Sequence, residues 1–159
     1  EENLYGCTVR LFEQVFAKFG VRTEWIDFTN PDAVARIEEQ RPAMVWLESP
    51  TNPLLKVIDL GEVCSAARAA GVPVVVDNTF ATALVQRPLE LGATLSLTST
   101  TKYINGHSDA LGGVVCTDEP SWHPIRSSRG CASPDGTSSR RGRWPCANCT
   151  GAGRSCRCG

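Results

Sequence analysis

The sequence predicts an α/β fold in which helices cover both faces of a mostly parallel, doubly wound sheet. Short apolar runs alternate along the chain with segments of helical periodicity, which is the pattern of repeated strand–helix–strand units. The runs are apolar at nearly every position rather than at every second one, as expected for strands that are covered on both faces. The length fits one domain or most of one, because domains typically hold about 100 to 200 residues.

The first predicted helix is marked by aromatic spacing and by a glycine. Apolar side chains at i, i+3, i+4 and i+7 over residues 12–19 form one helical face, and Gly20 stands where that helix should end. Thr8 is the expected N-cap. The β-prone run at residues 21–28 predicts a short strand immediately afterwards.

Two further helices are predicted from their end signals. One opens with Pro31 in its first turn and reaches about residue 40. Asp59 and Glu62 have capping-box spacing and begin the other, which Gly71 ends. Apolar runs predict buried strands at residues 43–47, 73–76, 94–98 and 111–117.

Polar side chains cluster immediately after three successive predicted strands, at residues 48–53, 77–80 and 99–103. In open α/β sheets, ligands bind at the carboxyl ends of the strands. The three clusters should therefore converge on one crevice.

The residue types in these clusters suit pyridoxal phosphate, which needs a lysine for its Schiff base, an acid opposite the pyridinium nitrogen and donors for its phosphate. Lys102 offers the amine, Asp77 the acid, and Ser99 and Thr101 the hydroxyls. A surface lysine, a carboxylate that caps a turn and a Ser/Thr-rich loop would explain the same residues without a cofactor. Residue chemistry alone leaves both interpretations open.

Five strings resemble successive segments of the Cys/Met metabolism family of pyridoxal-phosphate enzymes, in its order and at its spacing. They are LYGCTVRLF, ESPTNPLLKVIDL, VVVDNTFAT, QRPLELGA and STTKYINGHSDALGG, and together they run from about residue 3 to about residue 123. The resemblance is to the cystathionine γ-lyase and γ-synthase type. It implies that residues 1–124 are part of the large cofactor-binding domain of the aspartate-aminotransferase-like architecture, fold type I.

The resemblance implies a role for each matching residue. Lys102 would hold pyridoxal 5'-phosphate covalently and later move protons on the substrate. Asp77 would pair with the ring nitrogen, while Ser99 and Thr101 would bind the phosphate. Tyr5 would stack on the ring and is a candidate acid or base.

Two further residues would bind the substrate or the cofactor. Asn52 would hydrogen-bond the cofactor's phenolic oxygen or the substrate carboxylate, and Arg10 would receive a distal carboxylate. Either could equally be ordinary, Asn52 as a turn former and Arg10 as a solvated charge. Cys7 departs from the glycine that is usual in the family at that position.

The implied reaction is β- or γ-elimination, or γ-replacement, on sulfur amino acids or activated homoserine. Cystathionine β-lyase, methionine γ-lyase and homoserine sulfhydrylase share these motifs, so the substrate stays open. Intact family members are longer, and the resemblance implies a homotetramer acting on a small amino acid. This chain would then be a fragment that is itself inactive, and a non-catalytic truncated or mistranslated product is the alternative.

Residues 125–159 differ from the rest in charge and composition. The first 124 residues hold nine Lys or Arg and sixteen Asp or Glu, whereas the last 35 hold seven Arg and one Asp. These last residues contain one Ile and no Val, Leu, Met or Phe, too little apolar surface to offset the entropy of ordering. We expect a disordered tail, whose Arg, Gly, Ser and Cys bias is typical of a GC-rich gene read out of frame.

The cysteines of the tail allow a rival interpretation. Cys146, Cys149, Cys156 and Cys158 could together hold a zinc ion, although only six residues separate the two pairs. An Arg-rich tail that binds nucleic acid is a further alternative. The favoured prediction has neither a metal nor a nucleic-acid partner.

The remaining sequence signals concern the compartment. No apolar run is long enough to span a membrane. Cys7, Cys64 and Cys116 do not show the spacing of a disulfide framework. A cytoplasmic location is therefore expected.

Overall fold

The computed structural model describes residues 1–122. The predicted tail at residues 125–159, with the hypotheses of disorder, frameshift and zinc binding that fall on it, lies outside the described residues. In chain order the helices are α1 (Gly6–Arg10), α2 (Asp32–Gln40), α3 (Leu60–Ala70) and α4 (Thr82–Val85), and the strands are β1 (Val45–Glu48), β2 (Val74–Asp77), β3 (Leu95–Ser99) and β4 (Gly113–Cys116). A π turn, Leu11–Val15, and a 3-10 turn, Phe16–Phe19, continue α1. A further 3-10 turn, Pro120–Trp122, follows β4.

The four strands form one sheet in the order β1-β2-β3-β4. β2 pairs parallel with both β1 and β3, and β4 pairs antiparallel with β3. The mostly parallel sheet with flanking helices is thus confirmed. Because the three parallel strands are adjacent and follow the chain order, their carboxyl ends lie side by side.

The core lies between the sheet and helices α2 and α3, which contact each other. Burial of this apolar surface is the main favourable term that holds the two layers together. The buried residues of α3 are the predicted stripe, and each is at most 3% exposed: Leu60, Val63, Cys64 and Ala67. α2 contributes Ala33 and Ile37, and β1 and β2 contribute alternating side chains from their inner face.

The predicted end signals of α3 are present in the structure. The Asp59 carboxylate accepts a hydrogen bond from the Glu62 amide at 3.0 Å, which satisfies one of the free N–H groups of the first turn. Gly71 ends the helix with φ at +71°, a left-handed conformation that favours glycine. Gly20 ends the first helical segment in the same way, with φ at +79°.

Two local predictions are wrong. The first helical segment begins at Gly6 after Tyr5, and no side chain caps it, so Thr8 is not the N-cap. Residues 21–28 form no strand, because no strand of the described residues lies beside them to pair with them. A β-prone sequence needs such a partner to become a strand.

The described residues include no helix that is long and apolar enough to cross a membrane.

Candidate active site

The three predicted polar clusters meet at the carboxyl ends of the parallel strands. Glu48, Asp77 and Ser99 are the last residues of β1, β2 and β3. The register places Glu48 beside Asp77. One turn further on, the Ser99 amide donates to the Thr79 hydroxyl at 2.8 Å. The crevice expected from the sequence therefore exists, and a hydrogen bond joins the ends of β2 and β3 at its centre.

Asp77 has one anchored and one open carboxylate oxygen. The side chain is buried, with 8% of the residue exposed, and its Oδ1 accepts the Thr79 amide at 3.0 Å. No described residue donates to Oδ2. The acid is therefore oriented in advance, and one of its oxygens has no donor among the described residues.

Lys102 lies on the turn that follows β3. Its amide donates to the Ser99 carbonyl at 3.3 Å, and its carbonyl accepts the Gly106 amide at 2.8 Å. The side chain is exposed, and its ammonium has no hydrogen bond or ion pair with a described residue. The backbone is held while the amine stays free to react.

The two predicted phosphate donors differ. The Thr101 hydroxyl donates to the Gly112 carbonyl at 3.2 Å and accepts the Gly112 amide at 3.0 Å. A hydroxyl has a single proton, so Thr101 cannot donate to a phosphate while it keeps this contact. The Ser99 hydroxyl forms no hydrogen bond with a described residue and is the more available donor.

Tyr5, Arg10 and Lys102 are brought together around Cys7. Arg10 Nη2 donates to Cys7 Sγ at 2.9 Å. A side-chain hydrogen bond between Tyr5 and Cys7 raises the pKa of Tyr5 and lowers the pKa of Cys7, which the nearby charges of Arg10 and Lys102 lower further. The positive charges of Arg10 and Lys102 therefore both act on Cys7.

Glu48 is the residue that the sequence analysis missed. Its Oε2 accepts the Tyr5 amide at 2.7 Å. Burial raises the pKa of Glu48 to about 7; the Tyr5 hydrogen bond lowers it and the charge of Asp77 raises it. The available signal was a carboxylate directly after the strand predicted at residues 43–47, but it was counted only as part of the polar cluster at residues 48–53.

Asn52 stands apart from the other predicted site residues, because no hydrogen bond joins it to any of them within residues 1–122. The loop around it is nevertheless held in place. Ser49 Oγ accepts the Ile58 amide at 3.1 Å, and Thr51 Oγ1 accepts the Lys56 amide at 3.0 Å. Asn52 is thus half-buried on a well-anchored loop.

The donor set suits pyridoxal phosphate, in which the aldehyde and the ring nitrogen lie at opposite ends of the ring. A free amine and a half-open buried acid lie at the ends of neighbouring strands, with a free hydroxyl beside them. These are the groups that a pyridoxal-phosphate enzyme of the α/β type requires. More particularly, the chain belongs to the Cys/Met metabolism PLP-dependent enzymes, whose family model matches residues 1–135. Pyridoxal 5'-phosphate is the cofactor of that family.

Several named relatives are similar over most of the chain. A probable cystathionine γ-synthase of Herpetosiphon aurantiacus is 45% identical over 116 residues, which are 73% of this chain and 36% of that protein. A cystathionine β-lyase of Coxiella burnetii is 44% identical over 72% of this chain and 30% of its own length. The crystal structure of a cystathionine γ-lyase from Micromonospora echinospora superposes with a TM-score of 0.72 at 46% identity, covering 76% of this chain and 32% of the other. The chain thus spans about a third of the length of these relatives.

No group of three or more His, Cys, Asp or Glu side chains within residues 1–122 could hold a metal ion.

Proposed function

We propose that this chain is the cofactor-binding part of a PLP-dependent trans-sulfuration enzyme. The enzyme would eliminate a β or γ substituent, or replace a γ substituent, on sulfur amino acids or activated homoserine. One observation carries this proposal. A Lys102 amine without a described partner and a buried Asp77 carboxylate with one free oxygen lie at the ends of neighbouring strands. The names of the relatives support the same class of reaction.

The lead assignment is the cystathionine γ-lyase or γ-synthase type. Cystathionine β-lyase, methionine γ-lyase and homoserine sulfhydrylase are the alternatives within the family. The residues described above hold the cofactor rather than the leaving group, so they favour none of these. One solved structure at 48% identity bears the name of a methionine γ-lyase, so methionine γ-lyase remains among the alternatives.

The proposed roles divide between proton transfer and binding. The bound cofactor supplies an electron sink for the negative charge that develops on the substrate α-carbon. Lys102 Nζ would hold the cofactor covalently and, once the substrate amine has displaced it, would carry the α-proton. Tyr5 would cover the ring and assist in proton transfer. Asp77 Oδ2 keeps the ring nitrogen protonated, and the Ser99 hydroxyl donates to the phosphate.

Of the remaining site residues, Thr101 must change partners to act, because it can donate to the phosphate only if its hydroxyl leaves the Gly112 carbonyl. Arg10 can receive a substrate carboxylate through its other N–H groups while Nη2 donates to Cys7. Asn52 would reach the cofactor or the substrate carboxylate from its anchored loop.

A covalent trap tests the proposal. The chain has three lysines, Lys18, Lys56 and Lys102, so borohydride reduction with excess pyridoxal phosphate and peptide mapping gives a clear answer. Lys56 is an internal control of low reactivity, because its hydrogen bond with Asp27 raises its pKa. Lys18 is exposed and reports non-specific labelling.

We expect the pyridoxyl group mainly on Lys102, and less of it in the Asp77→Asn variant. Equal labelling of Lys18 and Lys102 would contradict the proposal. Loss of labelling in Asp77→Asn without loss of the folded signal by circular dichroism would assign the ring nitrogen to Asp77.

We further propose that the 159-residue chain is inactive by itself and that the intact enzyme is a cytoplasmic homotetramer. A chain that positions the substrate poorly against the cofactor loses much of the rate advantage of positioning, and a loss in rate of about a hundredfold is typical. Cystathionine cleavage and O-succinylhomoserine turnover are the assays, with an intact relative as the reference. Turnover within about tenfold of that reference would overturn the inactivity.

A further inference from the structure

Glu48 contacts the candidate site without a place in the chemistry proposed for it. It ends β1 with 4% of the residue exposed. Its Oε2 accepts the amide of Tyr5, which lies 43 positions earlier in the chain, at 2.7 Å. Tyr5 immediately precedes α1. This contact therefore fixes the position of the Tyr5 backbone, and with it the start of the helix, relative to the end of β1.

The surroundings of Glu48 are short of positive charge. From the helical side it faces the Tyr5 amide, and from β2 it faces Asp77, its partner in the parallel register. Along its own chain, the next hydroxyl, that of Ser49, is occupied by the Ile58 backbone. No Lys or Arg among the described residues forms an ion pair with it. Among the described residues, the Tyr5 amide is therefore the one donor that compensates the negative charge of the Glu48 carboxylate.

We propose that Glu48 is a positioning residue that ties Tyr5 to the strand end carrying Asp77, and that this tie strengthens when Glu48 loses its proton. The inference rests on the proposed function only for the role of Tyr5. The hydrogen bond and its dependence on the proton are properties of the chain alone.

The electrostatics agree with this geometry. Burial raises the pKa of Glu48 to about 7, the Tyr5 amide opposes the rise and the charge of Asp77 adds to it. The group is consequently half ionised near neutral pH. An ionised acceptor forms a shorter and stronger hydrogen bond with an amide than a neutral carboxylic acid does, so Tyr5 is held more firmly as the pH rises through 7.

Amide NMR of the full chain tests the tie without the cofactor. The sequence contains only two tyrosines, Tyr5 and Tyr103, so labelling with ¹⁵N-tyrosine gives one signal at the site and one at an exposed turn as the matched control. We expect the Tyr5 amide proton to move downfield with a midpoint near pH 7. The Tyr103 signal should not follow that transition.

Two variants distinguish an effect of the hydrogen bond between Glu48 and the Tyr5 amide from a general change in the fold. Glu48→Gln keeps an acceptor oxygen for Tyr5 but has no proton to lose, so the Tyr5 transition should disappear while the fold persists. Asp77→Asn removes the neighbouring charge and should lower the midpoint. If Glu48→Gln does not fold, the wild-type titration and the Asp77→Asn shift still decide the question.

The result that would overturn the inference is a Tyr5 amide with no transition between about pH 5 and 9, or one that Glu48→Gln leaves unchanged. Borohydride trapping distinguishes this failure from failure of the proposed function. Glu48→Gln should keep the pyridoxyl label on Lys102, since both Lys102 and Asp77 are intact. Absence of the label in the wild-type chain would count against the proposed function, whatever the Tyr5 signal shows.

Discussion

Strands β2 and β4 belong to the same sheet and both are apolar, yet only β2 is buried along its whole length. In β4 only Cys116 is buried. Within residues 1–122, β2 lies between two parallel neighbours and under the helices, whereas β4 is an edge strand with a single neighbour. An apolar run therefore predicts that a strand forms, while its burial depends on what packs against it.

The sharpest test of this difference compares two leucines. Leu47 in β1 is 0% exposed, and Leu111, just before β4, is 92% exposed. Leu47→Ala should lower the free energy of unfolding by about 2 to 5 kcal/mol, because it removes buried methyl groups and leaves a cavity. Leu111→Ala should change it by less than about 0.5 kcal/mol. Urea unfolding followed by circular dichroism measures both, and a comparable loss in the two variants would contradict the contrast.

The predicted helix with the most independent signals, α3, matches the structure at both ends. α3 has a cap, a buried stripe and a terminal glycine, and each of these is present. Residues 21–28 had β propensity alone, and no partner strand is there to complete them. The apolar helical face predicted over residues 12–19 includes Phe19, which is 80% exposed. Periodicity identifies a helical face; it does not identify what covers that face.

The sequence could predict which residues converge on the candidate site, but it could not predict the hydrogen bonds that hold them. The alternating pattern predicts parallel strands whose carboxyl ends share one edge of the sheet, so the convergence of Asp77, Ser99 and Lys102 could be expected. The contact between Glu48 and the Tyr5 amide joins residues 43 positions apart, and no local pattern specifies it. The engagement of the Thr101 hydroxyl by Gly112 depends on where β4 pairs, which is again a tertiary property.

The buried strand ends should also respond to pH, unlike the exposed surface. With its pKa raised from 4.5 to about 7, Glu48 holds its proton more tightly in the folded chain than in the unfolded one. Its contribution to stability is thus complete below about pH 4.5 and is lost as the pH rises to about 7. Solvent at the mouth of the site screens the charge, so we expect a loss of about 1 to 2 kcal/mol.

Glu48→Gln should remove this part of the pH dependence and make the chain more stable than wild type at pH 8, but not at pH 4.5. The measurement is the urea midpoint at both pH values. Glu90→Gln is the control, because Glu90 is exposed and pairs only with the exposed Arg87 within the described residues. A Glu48→Gln chain that is less stable than wild type at pH 8 would show that the charged form is favoured there.

The two helical segments allow a smaller test. α3 has a side-chain cap from Asp59, whereas α1 has none. Asp59→Ala should lower the free energy of unfolding by about 1 kcal/mol, because the Glu62 amide loses its acceptor. Thr8→Ala should have no capping effect, since Thr8 lies inside the helix. Equal losses in the two variants would restore Thr8 as a cap.

The smallest expected change in stability concerns the edge itself. Val115 in β4 is half exposed and lies opposite Leu97 of β3. An edge strand offers unpaired N–H and C=O groups to another chain, and a lysine on such a strand discourages that pairing. Val115→Lys should therefore change the free energy of unfolding by less than about 0.5 kcal/mol and still reduce self-association. Sedimentation velocity over a range of concentrations measures the association. Leu84→Lys is the control, since Leu84 is 93% exposed on α4 and is not on an edge. If both variants reduce association equally, exposed apolar surface in general, rather than the open edge of β4, drives it.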